Sequence, residues 1–259
     1  MILAQLTDPH ITIGPGDAGS ADALAAAVAA VNAFDPLPEA VLLTGDVTEH
    51  ATAAEYERAA ELLAELTIPV HLLAGNHDDA DGIRAHLGAP GDSGEPLQYS
   101  QVLGPIRLIA CDTSVRGQDA GALGPERLAW LEAELERDRS TPTLLAMHHP
   151  PLLIGMGVLD EIALAEVDQL ALRELIAANP QVKRIVAGHV HRGATGGIGG
   201  CPVFVCPSSY LQLALDLRPD SEIALVREPP CFGLHVTLDD ELISHVVPIG
   251  DYGPPFRLY

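Results

Sequence analysis

Strand-like and helical patterns alternate along most of this sequence, and this alternation limits the fold more than any other feature. Short apolar runs such as "ILAQLT", "AVLLT" and "VKRIVA" have the length of buried strands. Longer segments with helical spacing lie between them. In segment 20–34, Ser20 is the predicted N-cap, and Leu24, Val28 and Val31 share one face. Repeated strand and helix units predict an α/β fold.

The C-terminal part has a different pattern. After Gly188, short β-rich runs are separated by glycine, proline and aspartate, and upstream the segments 97–103 and 106–113 read as antiparallel neighbours. Because no linker or repeat interrupts the chain, we expect a single domain over residues 1–259, with a possible excursion at about 209–232. The sequence leaves open whether this excursion forms a subunit contact or a wall of the substrate pocket.

Charge and hydropathy exclude some classes of function. The formal net charge of -22 would repel a nucleic-acid polymer, so we expect no such partner. No apolar run approaches the ~20 residues that span a bilayer, so no membrane partner is expected. The N-terminus has no signal-peptide pattern, which predicts a cytoplasmic protein. The four cysteines are irregularly spaced and are predicted to be small core residues: Cys111, Cys201, Cys206 and Cys231.

Five predicted strands end in polar residues that are able to bind metal. In chain order these are Asp8 and His10; Asp46; Asn76, His77 and Asp78; His148 and His149; and His189 and His191. The carboxyl ends of strands in α/β sheets meet at a crevice where ligands bind, so we expect one cluster. We also expect an extended backbone at "DPH" and "HVH" to turn both side chains of each pair to one side. The glycine before Asp46, Asn76 and His189 predicts a tight turn or a close backbone approach at the end of the strand.

The donor types indicate which metals fit. Imidazoles combined with carboxylates and an amide oxygen favour Mn, Fe, Co or Zn over magnesium or calcium. One four-coordinate zinc would leave several of these groups unused. Two divalent first-row ions bridged by a carboxylate would use them all.

The ordered set "DPH", "GD", "GNHD", "HHPP" and "GHVH" resembles the calcineurin-like metallophosphoesterase superfamily. The segments "CDTSVRGQDAGALGPERLAWLEAEL" and "CPSSYLQLALDL" resemble its class III cyclic-nucleotide phosphodiesterase and glycerophosphodiesterase branch. The resemblance implies a four-layer α/β/β/α sandwich of two mixed β-sheets flanked by helices. It also implies a binuclear metal centre and a homo-oligomer, either a dimer or a larger assembly.

The same resemblance assigns roles to the candidate residues. It implies that one metal is held by Asp8, His10 and His191, the other by Asn76, His148 and His189, and that Asp46 bridges them. His77 matches the family's acid or substrate-orienting histidine, and we expect Asp78 to hold His77 or its loop in place. His149 is expected to pack or form hydrogen bonds beside the ligands without binding metal.

These roles predict a metal-dependent phosphodiesterase. We hypothesise that it hydrolyses small phosphodiesters such as 3′,5′-cyclic nucleotides (cAMP) by attack of a metal-bound hydroxide, with His77 protonating the leaving alkoxide. The alternatives are a glycerophosphodiesterase, a broad phosphodiesterase or phosphomonoesterase, and a metal-binding scaffold of the same fold.

Three polar residues are secondary candidates for contact with a phosphate: Arg116, Arg192 and Tyr210. An arginine at the surface is more commonly solvated than bound to a ligand. Asp112 is expected to cap a turn. The remaining histidines are expected to lie outside the site: His50, His71, His86, His235 and His245.

Overall fold

The computed structural model describes residues 1–218, 220–239, 241–253 and 256. Its helices are α1 (Ser20–Asn32), α2 (Ala53–Leu63), α3 (Ala80–Leu87), α4 (Gly124–Arg137), α5 (Gly157–Glu161) and α6 (Glu166–Ala177). Its strands are β1 (Ile2–Leu6), β2 (Ala40–Thr44), β3 (Val70–Leu73), β4 (Tyr99–Leu103), β5 (Ile106–Ala110), β6 (Thr143–Ala146), β7 (Val182–Ala187), β8 (Ala194–Ile198), β9 (Cys201–Val205), β10 (Gln212–Leu213), β11 (Leu225–Val226), β12 (Cys231–Leu238) and β13 (Glu241–Pro248). The predicted alternation of strands and helices is confirmed.

Two large mixed sheets form the centre of the molecule. The first has the strand order β13-β12-β1-β2-β3, with β1, β2 and β3 parallel and β12 antiparallel to β1. The second has the order β4-β5-β6-β7-β9-β8, with parallel central strands and an antiparallel strand at each edge. The antiparallel pair predicted from segments 97–103 and 106–113 is β4 and β5, so this prediction is confirmed.

Side chains that alternate between the two faces of each sheet build the layers. In β2, Val41 and Leu43 pack with α1, α2 and α3, whereas Ala40 and Leu42 pack against the second sheet. The outer face of the second sheet packs with α4, α5 and α6 in the same way. Successive side chains of a strand point to opposite faces, and in these two sheets both faces are buried, one by helices and one by the other sheet. The molecule is therefore the predicted four-layer α/β/β/α sandwich.

The start of α1 differs from the prediction. Gly19, with φ 100°, is the N-cap, and Ser20 is the first helical residue. The Asp17 carboxylate accepts hydrogen bonds from the backbone N–H groups of Gly19 and Ser20, both at 2.9 Å. Ser20 was the wrong choice of cap because Asp17, three residues earlier, serves the N–H groups at this end of the helix. The predicted apolar face is confirmed by three buried residues: Leu24, Val28 and Val31.

The segment from 209 to 232 contains a small sheet. Strands β10 and β11 pair with each other, and β12 then returns to the first sheet beside β1. A single domain over residues 1–259 stays a prediction, which this return of the chain supports.

No helix in the described ranges is both long and apolar enough to cross a membrane. Cys111, Cys201 and Cys206 are buried as predicted, whereas Cys231 is partly exposed.

Candidate metal centre

The predicted ligands meet where five strands end. Each follows the last residue of β1, β2, β3, β6 or β7 by no more than four positions. One group has donor atoms within 4.8 Å of one another and consists of the buried residues Asp8, His10, Asp46 and His191. Beside it, Asn76 Oδ1 lies 3.1 Å from His148 Nε2 and 3.0 Å from His189 Nδ1. The structure thus brings all seven predicted ligands together.

Asp46 lies between the two groups. Its Oδ2 is 3.5 Å from His10 Nε2 and 3.3 Å from His148 Nε2. Its Oδ1 accepts a hydrogen bond of 2.9 Å from the backbone N–H of His77. A carboxylate with one oxygen facing both groups has the position that a bridging ligand requires.

The backbone at the ligands is left-handed. In the described part of the chain seven non-glycine residues have positive φ, and five of them are candidate ligands: Asp8, His10, Asp46, His189 and His191. The expected extended backbone at "DPH" and "HVH" is therefore wrong. Each pair follows the end of its strand, and positive φ turns both side chains into the cluster. Such conformations cost about 1–3 kcal/mol each and persist mainly where function requires them.

Three of the histidines present the same ring nitrogen to the cluster. Each uses Nδ1 for a hydrogen bond to an oxygen, which leaves Nε2 directed at the other ligands. The pairs are His10 with Glu49 Oε2 at 2.6 Å, His148 with the Thr44 carbonyl at 2.8 Å, and His191 with the Leu211 carbonyl at 2.9 Å. This arrangement is typical of imidazoles that bind metal through Nε2.

His189 and His149 have different surroundings. In the described structure, His189 Nε2 is buried with no hydrogen-bond partner. Both ring nitrogens of His149 are occupied, Nδ1 by Thr113 Oγ1 at 2.8 Å and Nε2 by the Asp119 carbonyl at 3.0 Å. Burial, with the charge of His148, lowers the pKa of His149 to about 3, so it is neutral. These contacts support the choice of His148 over His149 as a ligand.

The carboxylates give the cluster an affinity for cations. Burial opposes charge on His10, yet its hydrogen bond to Glu49 and the charges of Asp46 and Asp8 raise its pKa to about 9. Burial also opposes charge on His148, but the negative charge of Asp46 and its hydrogen bond to the ring raise the pKa of His148 to about 9. The pKa of Asp46 is held well below its usual value despite burial, mainly by His148. Divalent ions compete with protons for such donors, so the residues fit a pair of metal ions.

Close packing explains the glycines of the motifs. A Cβ at Gly45, whose φ is +94°, would lie 2.5 Å from His148 Nδ1. A Cβ at Gly75 would lie 2.8 Å from Asp46 Cγ, and one at Gly188 would lie 2.9 Å from Asp8 Oδ2. The predicted close approach before three of the ligands is confirmed.

His77 and Asp78 follow Asn76 but have separate roles. His77 Nδ1 donates to the Glu49 carbonyl at 3.0 Å, and its half-buried ring lines a cavity beside the cluster. The Asp78 carboxylate accepts from three backbone N–H groups at 3.0–3.1 Å, which belong to Val47, Thr48 and Gly75. Of the two predicted roles for Asp78, these contacts support holding the loop. Burial and then the charge of Asp46 raise the pKa of Asp78 to about 6.

Glu49 was missed in the sequence. Its side chain bonds a candidate ligand, His10, and its carbonyl bonds His77. The available signal was its place three residues after Asp46 in "GDVTEH". A lone acidic residue in a loop is usually solvated, so this signal was weak.

The cavity beside the cluster has a volume of about 360 Å³. One wall is apolar and consists of Leu159, Ile162, Leu211, Leu213, Ile223 and Leu225. The segment at 209–232 therefore lines the pocket, which was one of the two alternatives left open. No lysine or arginine is among the described residues that line this cavity.

The secondary candidates are distributed around the centre. Tyr210 lines the cavity, Arg192 pairs with Glu228 at 3.0 Å, and Arg116 lines a separate cavity of about 230 Å³ that also reaches Asn76. Asp112 accepts from the Ser114 N–H at 2.9 Å, so the predicted turn cap is confirmed.

The fold and the paired ligand groups define a class of protein, the binuclear metal-dependent α/β/β/α hydrolases. The sequence model of the Calcineurin-like phosphoesterase family matches residues 1–193. The chain belongs to this family, whose members use a dinuclear metal centre.

Relatives give the branch within the family. The chain is 32% identical to a probable glycerophosphodiester phosphodiesterase, GpdQ, of Arcobacter nitrofigilis, over 100% of this chain and 97% of that protein. It is 34% identical to a probable cyclic nucleotide phosphodiesterase of a Synechococcus species, over 84% of this chain and 88% of that protein. A solved dimetal phosphatase from Danio rerio has a TM-score of 0.68 at 16% identity, covering 96% of this chain and 99% of that structure, and it supports the fold alone. The predicted family and branch are confirmed.

Proposed function

We propose that this protein is a binuclear metal-dependent phosphodiesterase that hydrolyses small phosphodiesters such as 3′,5′-cyclic nucleotides. The observation that carries the proposal is the pair of ligand groups that share Asp46 at one side of a 360 Å³ cavity. One ion is assigned to Asp8, His10, Asp46 and His191. The other is assigned to Asp46, Asn76, His148 and His189. The mixed nitrogen and oxygen donors suit Mn, Fe, Co or Zn.

When bound, two such ions lower the pKa of coordinated water and offset the negative charge of a phosphodiester. The charge of the residues around the cavity then affects which phosphoesters bind. The described lining of the cavity has no basic side chain, and the formal net charge is -22, so protein cations contribute little to phosphate binding there. This charge pattern favours diesters, since they carry one negative charge where a monoester carries two.

His77 is the proposed acid for the leaving group. Its Nδ1 donates to the Glu49 carbonyl, which fixes the ring beside His10 with a centroid separation of 4.8 Å. Its ring lines the cavity without belonging to the group of four around Asp46. A positioned acid of this kind contributes about 10²–10⁴-fold to the rate. Asp78 contributes indirectly because it joins the loops that carry Asp46 and Asn76.

The apolar wall favours a cyclic nucleotide among the possible substrates. A nucleobase offers a flat apolar surface to Leu213, Ile223 and Leu225, whereas a glycerol ester offers mainly hydroxyl groups. The glycerophosphodiesterase alternative draws on the 32% identity to the Arcobacter protein.

We also propose a homo-oligomer, in line with the exposed Leu215 and Leu217 near the pocket. A cytoplasmic location stays a prediction.

The test compares two substrates on manganese-loaded protein. We expect a higher kcat/KM for cAMP than for glycerophosphoethanolamine. Ile223→Ser should lower kcat/KM for cAMP by about 10-fold, with little effect on the glycerol ester. This is the low end of the effect of one lost apolar group, because Ile223 is 54% exposed. Val102→Ser is the matched control, because Val102 in β4 is 67% exposed and does not line the cavity. A preference for the glycerol ester would establish the alternative, and no hydrolysis of any phosphoester would favour the scaffold.

A further inference from the structure

One candidate ligand has a charged partner on its outer ring nitrogen. His148 and His191 donate their Nδ1 protons to backbone carbonyls, which are neutral. His10 instead donates to the Glu49 carboxylate, at 2.6 Å. Among these three histidines, His10 is thus the one whose outer contact carries a full negative charge.

We infer that Glu49 is a positioning residue for the metal ion assigned to Asp8, His10, Asp46 and His191. The inference rests on the proposed binuclear centre. By accepting a hydrogen bond from Nδ1, Glu49 fixes the His10 ring in the orientation in which Nε2 faces Asp46 Oδ2, 3.5 Å away. A carboxylate partner also makes the imidazole a stronger donor to a metal ion.

Glu49 also connects this ligand to the proposed acid. Its carbonyl accepts the Nδ1 proton of His77 at 3.0 Å, and its Oε1 lies 3.8 Å from the same nitrogen. A single residue therefore sets the separation of the His10 and His77 rings. The backbone contact survives replacement of the side chain, so a substitution acts first on His10.

The alternative is that Glu49 binds a further ion itself. Donor atoms of His10, Glu49 and His77 lie within 4.8 Å of one another. However, Glu49 Oε2 already holds His10 Nδ1, and His10 Nε2 faces Asp46. An ion at this position would have to replace the shortest contact of the group, so we favour the positioning role.

The test measures metal affinity without catalysis. Metal-stripped wild type, Glu49→Gln and Glu49→Ala are titrated with Mn²⁺ in a calorimeter. We expect two ions in each protein, with one site weakened by about 10–100-fold in the alanine variant. The loss should be smaller in the glutamine variant, which keeps an acceptor oxygen, and the other site should be unchanged. Glu49→Gln should cause no further loss in an Asp8→Ala background, where the affected site is already disrupted.

The control is Asp119→Asn, which removes one negative charge from an exposed residue of the same cavity without touching His10. It should leave the Mn²⁺ affinities of both sites unchanged.

A second measurement uses proton NMR. In the zinc-loaded wild type, His10 Nδ1–H should give a slowly exchanging proton resonance that Glu49→Ala loses. Unchanged affinities, equal weakening of both sites, or the loss of one whole ion in Glu49→Gln would overturn the inference. If wild type binds no metal, the proposed function fails as well.

Discussion

Replacing Gly75 with alanine tests whether the loop after β3 has to lie this close to Asp46. A Cβ at this position would lie 2.8 Å from Asp46 Cγ and closer still to Asp46 Oδ1 and the Asp46 backbone nitrogen. Ordinary contact begins at 3.4 Å, so the carboxylate or the loop must yield by more than about 1 Å. Overpacking of this kind costs about 1–3 kcal/mol of stability. A 1 Å shift at a catalytic group costs about 10²-fold in rate, so we expect a loss of at least about 10²-fold in kcat/KM.

The assay compares Gly75→Ala with Gly193→Ala. A Cβ at Gly193 meets only Pro207, at 3.8 Å, which is an ordinary contact. Both proteins are loaded with manganese and measured for bound metal, urea stability and diester hydrolysis. We expect the Gly193 variant to stay within about 0.5 kcal/mol of wild type. If Gly75→Ala keeps the metal content and activity of the control, the close approach at Asp46 is not required for metal binding or catalysis.

Three further predictions follow from the site and the core. His77→Ala should lower turnover by about 10²–10⁴-fold while two metal ions remain bound, whereas Asp46→Ala and Asn76→Ala should also lose metal; equal metal loss in all three would contradict these roles. Burial lowers the pKa of His235 to about 3, so its neutral form stabilises the fold above pH 6.5 and this contribution is lost as the pH falls. Between pH 7.5 and 5.5 wild type should lose about 1.4 kcal/mol relative to His235→Gln in urea unfolding, and parallel pH profiles would refute this. Removing metal with a chelator should lower the Tm, because the ions bind the folded cluster, and an unchanged Tm would argue against tight binding.

Much of the fold was predictable because the two sheets are covered on both faces. Strands such as β2 and β6 are nearly continuous apolar runs, and candidate ligands follow their ends. Strand β8 was missed because Gly196 and Gly197 weaken its β-propensity. The five-residue helix α5 and the two-residue strands β10 and β11 are too short for a periodic signal, although they carry much of the pocket's apolar wall.

The clustering of the candidate site residues was predictable, but not all of its geometry was. The ligand types and their order indicated one cluster, and the structure brings them together. The left-handed backbone at Asp8 and His191 was not foreseen, since positive φ in non-glycine residues follows from packing around the site rather than from local propensity. Glu49 was missed for a related reason, because its importance comes from a contact with His10, 39 residues away in the chain.

The most direct test of the central claim is hydrolysis of bis(p-nitrophenyl) phosphate by metal-stripped protein, before and after manganese is added, in parallel with the p-nitrophenyl monoester. We predict no activity without metal, and restored activity with a clear preference for the diester. Full activity in the stripped protein, or a markedly higher rate on the monoester, would contradict a binuclear metal-dependent phosphodiesterase.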